Sequence, residues 1–167
     1  MTTLQVSNLS TTNLDALGSS QFAALTTQQV GAFTTTQVAA LETADLVALG
    51  TSGLRTWNST QVSALTSTEV AALSSVQVGS LTSTQVSGLN SVQIDAFETG
   101  DLRAMSTATL RSLSTDQANA LTTDQMGALL TSQVQALSSL QLSNLGSTTL
   151  NALTSLQFAV QIGRAHV

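Results

Sequence analysis

LTTQQVGAF, residues 25–33, holds the pattern on which the whole fold turns. Leu25 and Phe33 are large apolar residues eight apart, and Val30 lies between them. The same layout recurs along the chain. One apolar series runs Leu9, Leu17, Leu25, Phe33, Leu41, Leu49, Trp57, Leu65 and onward to Leu153, and a second runs Val6, Leu14, Phe22, Val30, Val38 and onward to Phe158, with only Ala118 smaller. Small residues, mostly Ala, sit between them. The consensus LTTxQVxA fits twenty copies over residues 1–160 without insertion or deletion, and Met1 falls in the Leu position.

An eight-residue period is incompatible with one continuous helix. At about 100° per residue, each repeat would rotate the apolar stripe by roughly 80°. It is not a strand pattern either, because the Val and Leu series differ in parity and would point to opposite faces. A helix interrupted once per repeat resolves both conflicts.

The interruption is written in capping chemistry. The residue after each Leu is Thr, Ser, Asn or Gly in seventeen of twenty repeats, which is the set preferred at a helix N-cap. Three positions later stands Gln in thirteen repeats, or an acid such as Asp45, Glu69 or Asp101. That is a capping box, with the N3 side chain reaching back to the cap amide, and the flanking Leu and Val form a hydrophobic staple. In the opening stretch Leu25 is N′, Thr26 the cap, Gln29 N3 and Val30 N4. Charge agrees with this register. Seven of nine acids (Glu42, Asp45, Glu69, Glu98, Asp101, Asp116, Asp124) lie at a cap or in a first turn, whereas Arg55, Arg103 and Arg111 follow the N4 residue. This is the order the helix dipole favours. The expected fold is all-α: a solenoid of about twenty short capped helices of about six residues, one per repeat. Such helices are too short to persist alone and depend on stacking.

Two further regularities carry expectations. The residue after the cap is Ser or Thr in all twenty repeats; a hydroxyl at a tight corner is expected to satisfy a nearby backbone group. Where Gln at N3 gives way to Asn13, Asp45, Gly53, Asp101, Thr109 or Thr149, the next residue is Leu. The blocks ETADLVALGTSGLRTW (42–57) and ETGDLRAMSTATLRSL (98–113) match Asp45 and Arg55 with Asp101 and Arg111. Their placement predicts ion pairs between adjacent coils, worth about 0–1 kcal/mol if exposed.

The 167 residues include 8% charged, 3% aromatic and 42% apolar residues, with no Cys, Pro, Lys or Tyr. The chain has apolar mass to bury and wets its surface with uncharged polar groups. A net charge of −5 without Lys argues against nucleic acid as a partner. No apolar run approaches the ~18 residues of a membrane span, and MTTLQVSNL lacks the basic and apolar regions of a signal peptide. Zero Cys excludes disulfides and thiolate metal sites.

Chemistry-bearing constellations are scarce. Hydroxyls abound, but a nucleophile needs a base beside it, and the one imidazole is His166. Glu42 with Asp45 and Glu98 with Asp101 are the nearest acid–base pairs, and cap and N3 roles account for all four. The acids are too scattered for a calcium site. Phe22, Phe33, Trp57, Phe97 and Phe158 all occupy the apolar series and are expected in the core. Asn8 and Asn58 match the glycosylation sequon by chance frequency, and Asn58 already serves as a cap. No catalytic, cofactor-binding or metal-binding residue and no cofactor is assigned.

The period breaks at Gln161, where a large apolar residue is due. The following IGRAHV (162–167) resembles the translation of a short-read sequencing adapter, ATC GGA AGA GCA CAC GTC, whose preceding AG fits a CAG codon for Gln161. Residues 161–167 are therefore expected to be a non-native tail, and 1–160 a piece of a longer array, from a metagenomic fragment.

The LTTxQVxAL octads resemble tandem repeats of very large secreted or surface proteins of bacteria, of the adhesin and haemolysin-like kind. The resemblance covers residues 1–160. It implies a non-enzymatic extracellular or cell-surface spacer attached to flanking domains of the same polypeptide. The alternative is a binding array whose Ser/Thr ladder meets glycan or ice. Uncapped ends would expose apolar surface, so end-to-end self-association is a further expectation.

Overall fold

The computed structural model describes residues 1–164, with side chains through residue 159. These residues form twenty helices, α1 (Thr3–Ser7) to α20 (Ser155–Arg164), with no strand among them. The fold is an all-helical repeat array, as the octad period implies. Helices α1 to α19 have four to six residues each, whereas α20 has ten. The sequence after Val160 offers Ile162 where a cap is due, so no capping residue stops that last helix. His166 lies outside the described residues.

Most of the short helices are bounded by the same local events, the junction of α6 (Thr43–Ala48) and α7 (Gly50–Leu54) at Leu49 excepted. At the start, the cap adopts an extended backbone, as at Thr66 (φ −73°, ψ 161°), and its hydroxyl accepts from the N3 amide at 3.2 Å. Fourteen caps do this through Thr, Ser or Asn side chains. Each such bond contributes about 1 kcal/mol. At the end, the Leu N–H closes a tight bond to the Val carbonyl three residues back, as from Leu65 to Val62 at 3.2 Å. That Leu then turns extended, as at Leu73 (φ −62°, ψ 136°), and delivers the chain to the next cap. The corner needs neither proline nor a left-handed residue. Gly50 (φ 64°) is the one exception among the described residues.

Successive helices wind into a coil. Each helix packs against the third one along, as α10 (Ser75–Ser80) does on α13 (Thr99–Ala104) and α3 (Ser19–Ala23) on α6 (Thr43–Ala48). Hydrogen bonds between turns, from an N3 side chain to the end of an earlier helix, span 28 to 31 residues, so that a turn holds between three and four repeats. Both apolar series face the axis. The N4 residues are almost wholly enclosed (Val38, Val62, Ile94, Leu102), and the Leu series is buried from Phe33 onward apart from its edges. In the first turn, Leu9, Leu17 and Leu25 are only partly buried. Phe158, expected in the core, is 46% exposed, because it belongs to the last turn and no further turn covers it among the described residues.

Turns come close where side chains are smallest. A Cβ built on Gly88 would lie 2.8 Å from the Cβ of Ser59, one turn below. Glycine there removes the atom that would hold the two layers apart.

Candidate functional site

The chemically richest positions in the array are the N3 side chains, and they are buried. Gln37, Gln77, Gln85, Gln93, Gln117, Gln125 and Gln133 are all 4% exposed or less. Burying an amide without partners is costly, and here every polar atom has one. In the middle of the chain, Gln85 Oε1 accepts from the Thr82 backbone N–H at 2.9 Å. Its Nε2 donates to the carbonyls of Leu54 (2.9 Å) and Trp57 (2.8 Å) in the preceding turn. Gln117 reaches Val86 and Leu89 in the same way, and Gln133 reaches Leu102 and Met105.

Eleven glutamines from Gln29 to Gln157 make this crossing, to carbonyls 28, 30 or 31 residues back. The donor therefore comes from repeat n and the acceptors from the end of repeat n−4 and the Leu that opens repeat n−3. An α-helix joins residue n to n−4 with 3.6 residues per turn; this coil repeats that scheme with whole helices as its units. The capping box was readable in the sequence, but this second use of the amide was not read there. Its signal was present: N3 holds Gln in thirteen repeats and Glu in one. A capping box accepts either residue, whereas only Gln can also donate.

Repeats without Gln show what replaces the rung. Gly53 has no N3 side chain, and Trp57 at the end of that repeat donates Nε1–H to the Val30 carbonyl at 2.9 Å. Gln61 then binds Gly31 and Phe33 instead of Val30. At Asp45 and Asp101 the preceding turn supplies the donor. Ser19 Oγ donates to Asp45 Oδ1 at 2.7 Å, and Ser75 Oγ to Asp101 Oδ1 at 2.8 Å. The expected ion pairs of Asp45 with Arg55 and Asp101 with Arg111 are thus not formed. Both acids are buried at N3, 3% and 2% exposed, and are occupied by serine, while Arg55 and Arg111 stand exposed at the far ends of their helices.

Glu69 is different again. Its Oε2 accepts from the Thr66 N–H at 2.6 Å, as a Gln would, but its Oε1 is buried and has no hydrogen-bond partner. Glu is one methylene longer than Asp, so its outer oxygen occupies the place of a glutamine Nε2.

The hydroxyls after the caps were expected to satisfy nearby backbone groups. They do not, because the cap side chains already take the N3 amides. Among the described residues only Ser19 and Ser75 of this set donate a hydrogen bond, both to acids of the next turn. Most of the others are exposed.

Other candidates resolve into structural roles. Glu42 and Glu98 are exposed caps of α6 and α13, and the Glu98 N–H donates to Asp101 Oδ2 at 3.1 Å. Asn58 caps its helix through Oδ1 to Gln61 N at 2.9 Å, and Asn8 Nδ2 donates to the Leu4 carbonyl at 2.8 Å. Among the described residues no helix is long and apolar enough to cross a membrane.

No match to the chain was found among curated proteins or among solved structures. The sequence model of the ALTTAQ repeat family matches three times, at residues 1–35, 38–75 and 94–131. Those six letters spell small residue, N′ Leu, cap, N1, N2 and N3 Gln, as in ALTTQQ (24–29) and ALTTDQ (120–125). The matches cover about two thirds of the chain and carry the rung that joins its turns. The chain belongs to the ALTTAQ repeat family.

Proposed function

We propose that this array is a non-catalytic rod, a spacer in a larger secreted or surface protein of a bacterium, projecting flanking domains of the same polypeptide. The observation that supports this reading is that the array uses its own chemistry internally. Buried glutamines join turn to turn, Asp45 and Asp101 at N3 are taken by serines, and the exposed remainder is rich in uncharged Ser and Thr. A repeat array with nearest-neighbour contacts grows by addition, and its stability adds in the same way. Small-angle scattering on versions carrying half, one and two times the array should give a maximum dimension rising linearly with repeat number. A compact sphere or a random coil at any length contradicts the reading.

The glycan- or ice-binding alternative needs hydroxyls in register on one face. With three to four repeats per turn, the N1 hydroxyls are shared out around the coil instead. Thermal hysteresis or glycan binding by the array would restore that alternative. End-to-end association would run through the open face of the first turn, where Met1 is 59% and Leu4 70% exposed. Concentration-dependent sedimentation reports it.

A further inference from the structure

The rung at Glu69 is an arrangement of acceptors with no donor. In eleven other repeats the outer atom of the N3 side chain is an N–H₂ lying 2.5–3.4 Å from carbonyls 28, 30 or 31 residues back. For Glu69 those carbonyls belong to Leu41, Ala39 and Val38. Glu69 is anchored like the glutamines, through the Thr66 N–H on one oxygen. Its other oxygen is therefore turned toward those backbone oxygens, and it is the one buried side-chain polar atom without a partner among the described residues. The residue is 3% exposed, so bulk water does not solvate it.

The two shorter acids show the escape that Glu69 lacks. Each takes a hydroxyl from the N1 residue 26 positions back, Ser19 for Asp45 and Ser75 for Asp101. The equivalent residue for Glu69 is Thr43, which is exposed and makes no such bond. An orphaned buried acceptor among further acceptors calls for a bound species. The complement of an oxygen-only pocket with one carboxylate is a positive ion, and hard cations take carboxylate and backbone carbonyl oxygens as ligands.

We infer that the Glu69 rung is a cation site, in which a small oxygen-seeking metal ion bridges Glu69 Oε1 and the carbonyls of Val38 and Leu41. The ion does there what the glutamine N–H₂ does in the other rungs, tying two turns of the coil.

The test compares thermal unfolding of the full chain and of Glu69→Gln in NaCl, KCl and CaCl₂ against tetramethylammonium chloride at matched ionic strength. Glu69→Gln restores the family residue and folds as the other rungs do. In tetramethylammonium the wild type is expected to melt below Glu69→Gln. At least one of the three metal ions should raise the wild-type melting temperature by about 3 °C or more and narrow that gap. Glu69→Gln should show no ion-specific rise. Equal wild-type melting in all four salts overturns the site, as does a gap that closes on acidification alone with no response to metal ions. A rise shared equally by Glu69→Gln also overturns it, since the ion would then act elsewhere.

Discussion

Gln85→Leu is expected to lower the unfolding free energy by about 3 kcal/mol or more, since each buried group left without a partner costs about 1–3 kcal/mol. The substitution keeps an apolar volume of similar size and leaves two backbone groups unpaired, the Trp57 carbonyl below and the Thr82 N–H of its own cap, while the Leu54 carbonyl keeps only the Trp57 N–H. Gln5→Leu is the internal control. Gln5 makes the same cap bond, to Thr2 N at 2.7 Å, but it is exposed in the first turn and binds no carbonyl of another turn. Its loss should cost no more than about 1 kcal/mol. Chemical denaturation of both variants separates the cap from the crossing bond. Equal effects at the two positions would mean that the rung contributes nothing beyond capping.

Trp57→Ala should cost about 3–5 kcal/mol, the range for removing a large aromatic side chain from a packed core. Trp57 is 2% exposed, its ring lies 6.4 Å from Phe33, and its Nε1 donates to Val30. It also closes the one repeat whose N3 residue is Gly53, so it supplies the crossing bond that a glutamine would have made. Trp57→Phe keeps most of the apolar contact and removes the donor, and is expected to cost about 0.5–1.5 kcal/mol, since the Val30 carbonyl still accepts from the Phe33 N–H. Urea unfolding of the two variants apportions the ring and the hydrogen bond. A Trp57→Phe loss near zero would show that the Val30 carbonyl does not depend on the indole.

What was legible in the sequence was everything that acts within one repeat. The cap at Thr26, the N3 role of Gln29 and the buried Val30 follow from local chemistry, and all twenty helices begin where that chemistry puts them, to within a residue or two. The relation between repeats was not legible, because an eight-residue period sets the helix and the corner but not the angle at which the next helix leaves. Without that angle, Asp45 seemed placed to meet Arg55, ten residues on. In a coil whose helices pack on the third one along, the neighbour of Asp45 is Ser19, 26 residues back. The same ignorance hid the crossing bond of the glutamines, although the avoidance of Glu at N3 points to it. The N1 hydroxyls misled for a different reason. Local backbone groups were assumed to need them, and the cap one position earlier had already supplied the oxygen.

The central claim is that three to four repeats make one turn, so that sequence separation and distance part company. The chain has no Cys, so spin labels can be placed in pairs at exposed N2 positions, Thr60 with Val76 and Thr60 with Thr84. Two repeats separate the first pair and put its labels on opposite sides of the coil. Three repeats separate the second and bring its labels nearly back into line, one layer apart. Pulsed dipolar spectroscopy should therefore give the shorter distance for Thr60–Thr84, although that pair is farther apart in sequence. A shorter distance for Thr60–Val76 would mean that repeats stack two to a turn, and the coil described here would be wrong.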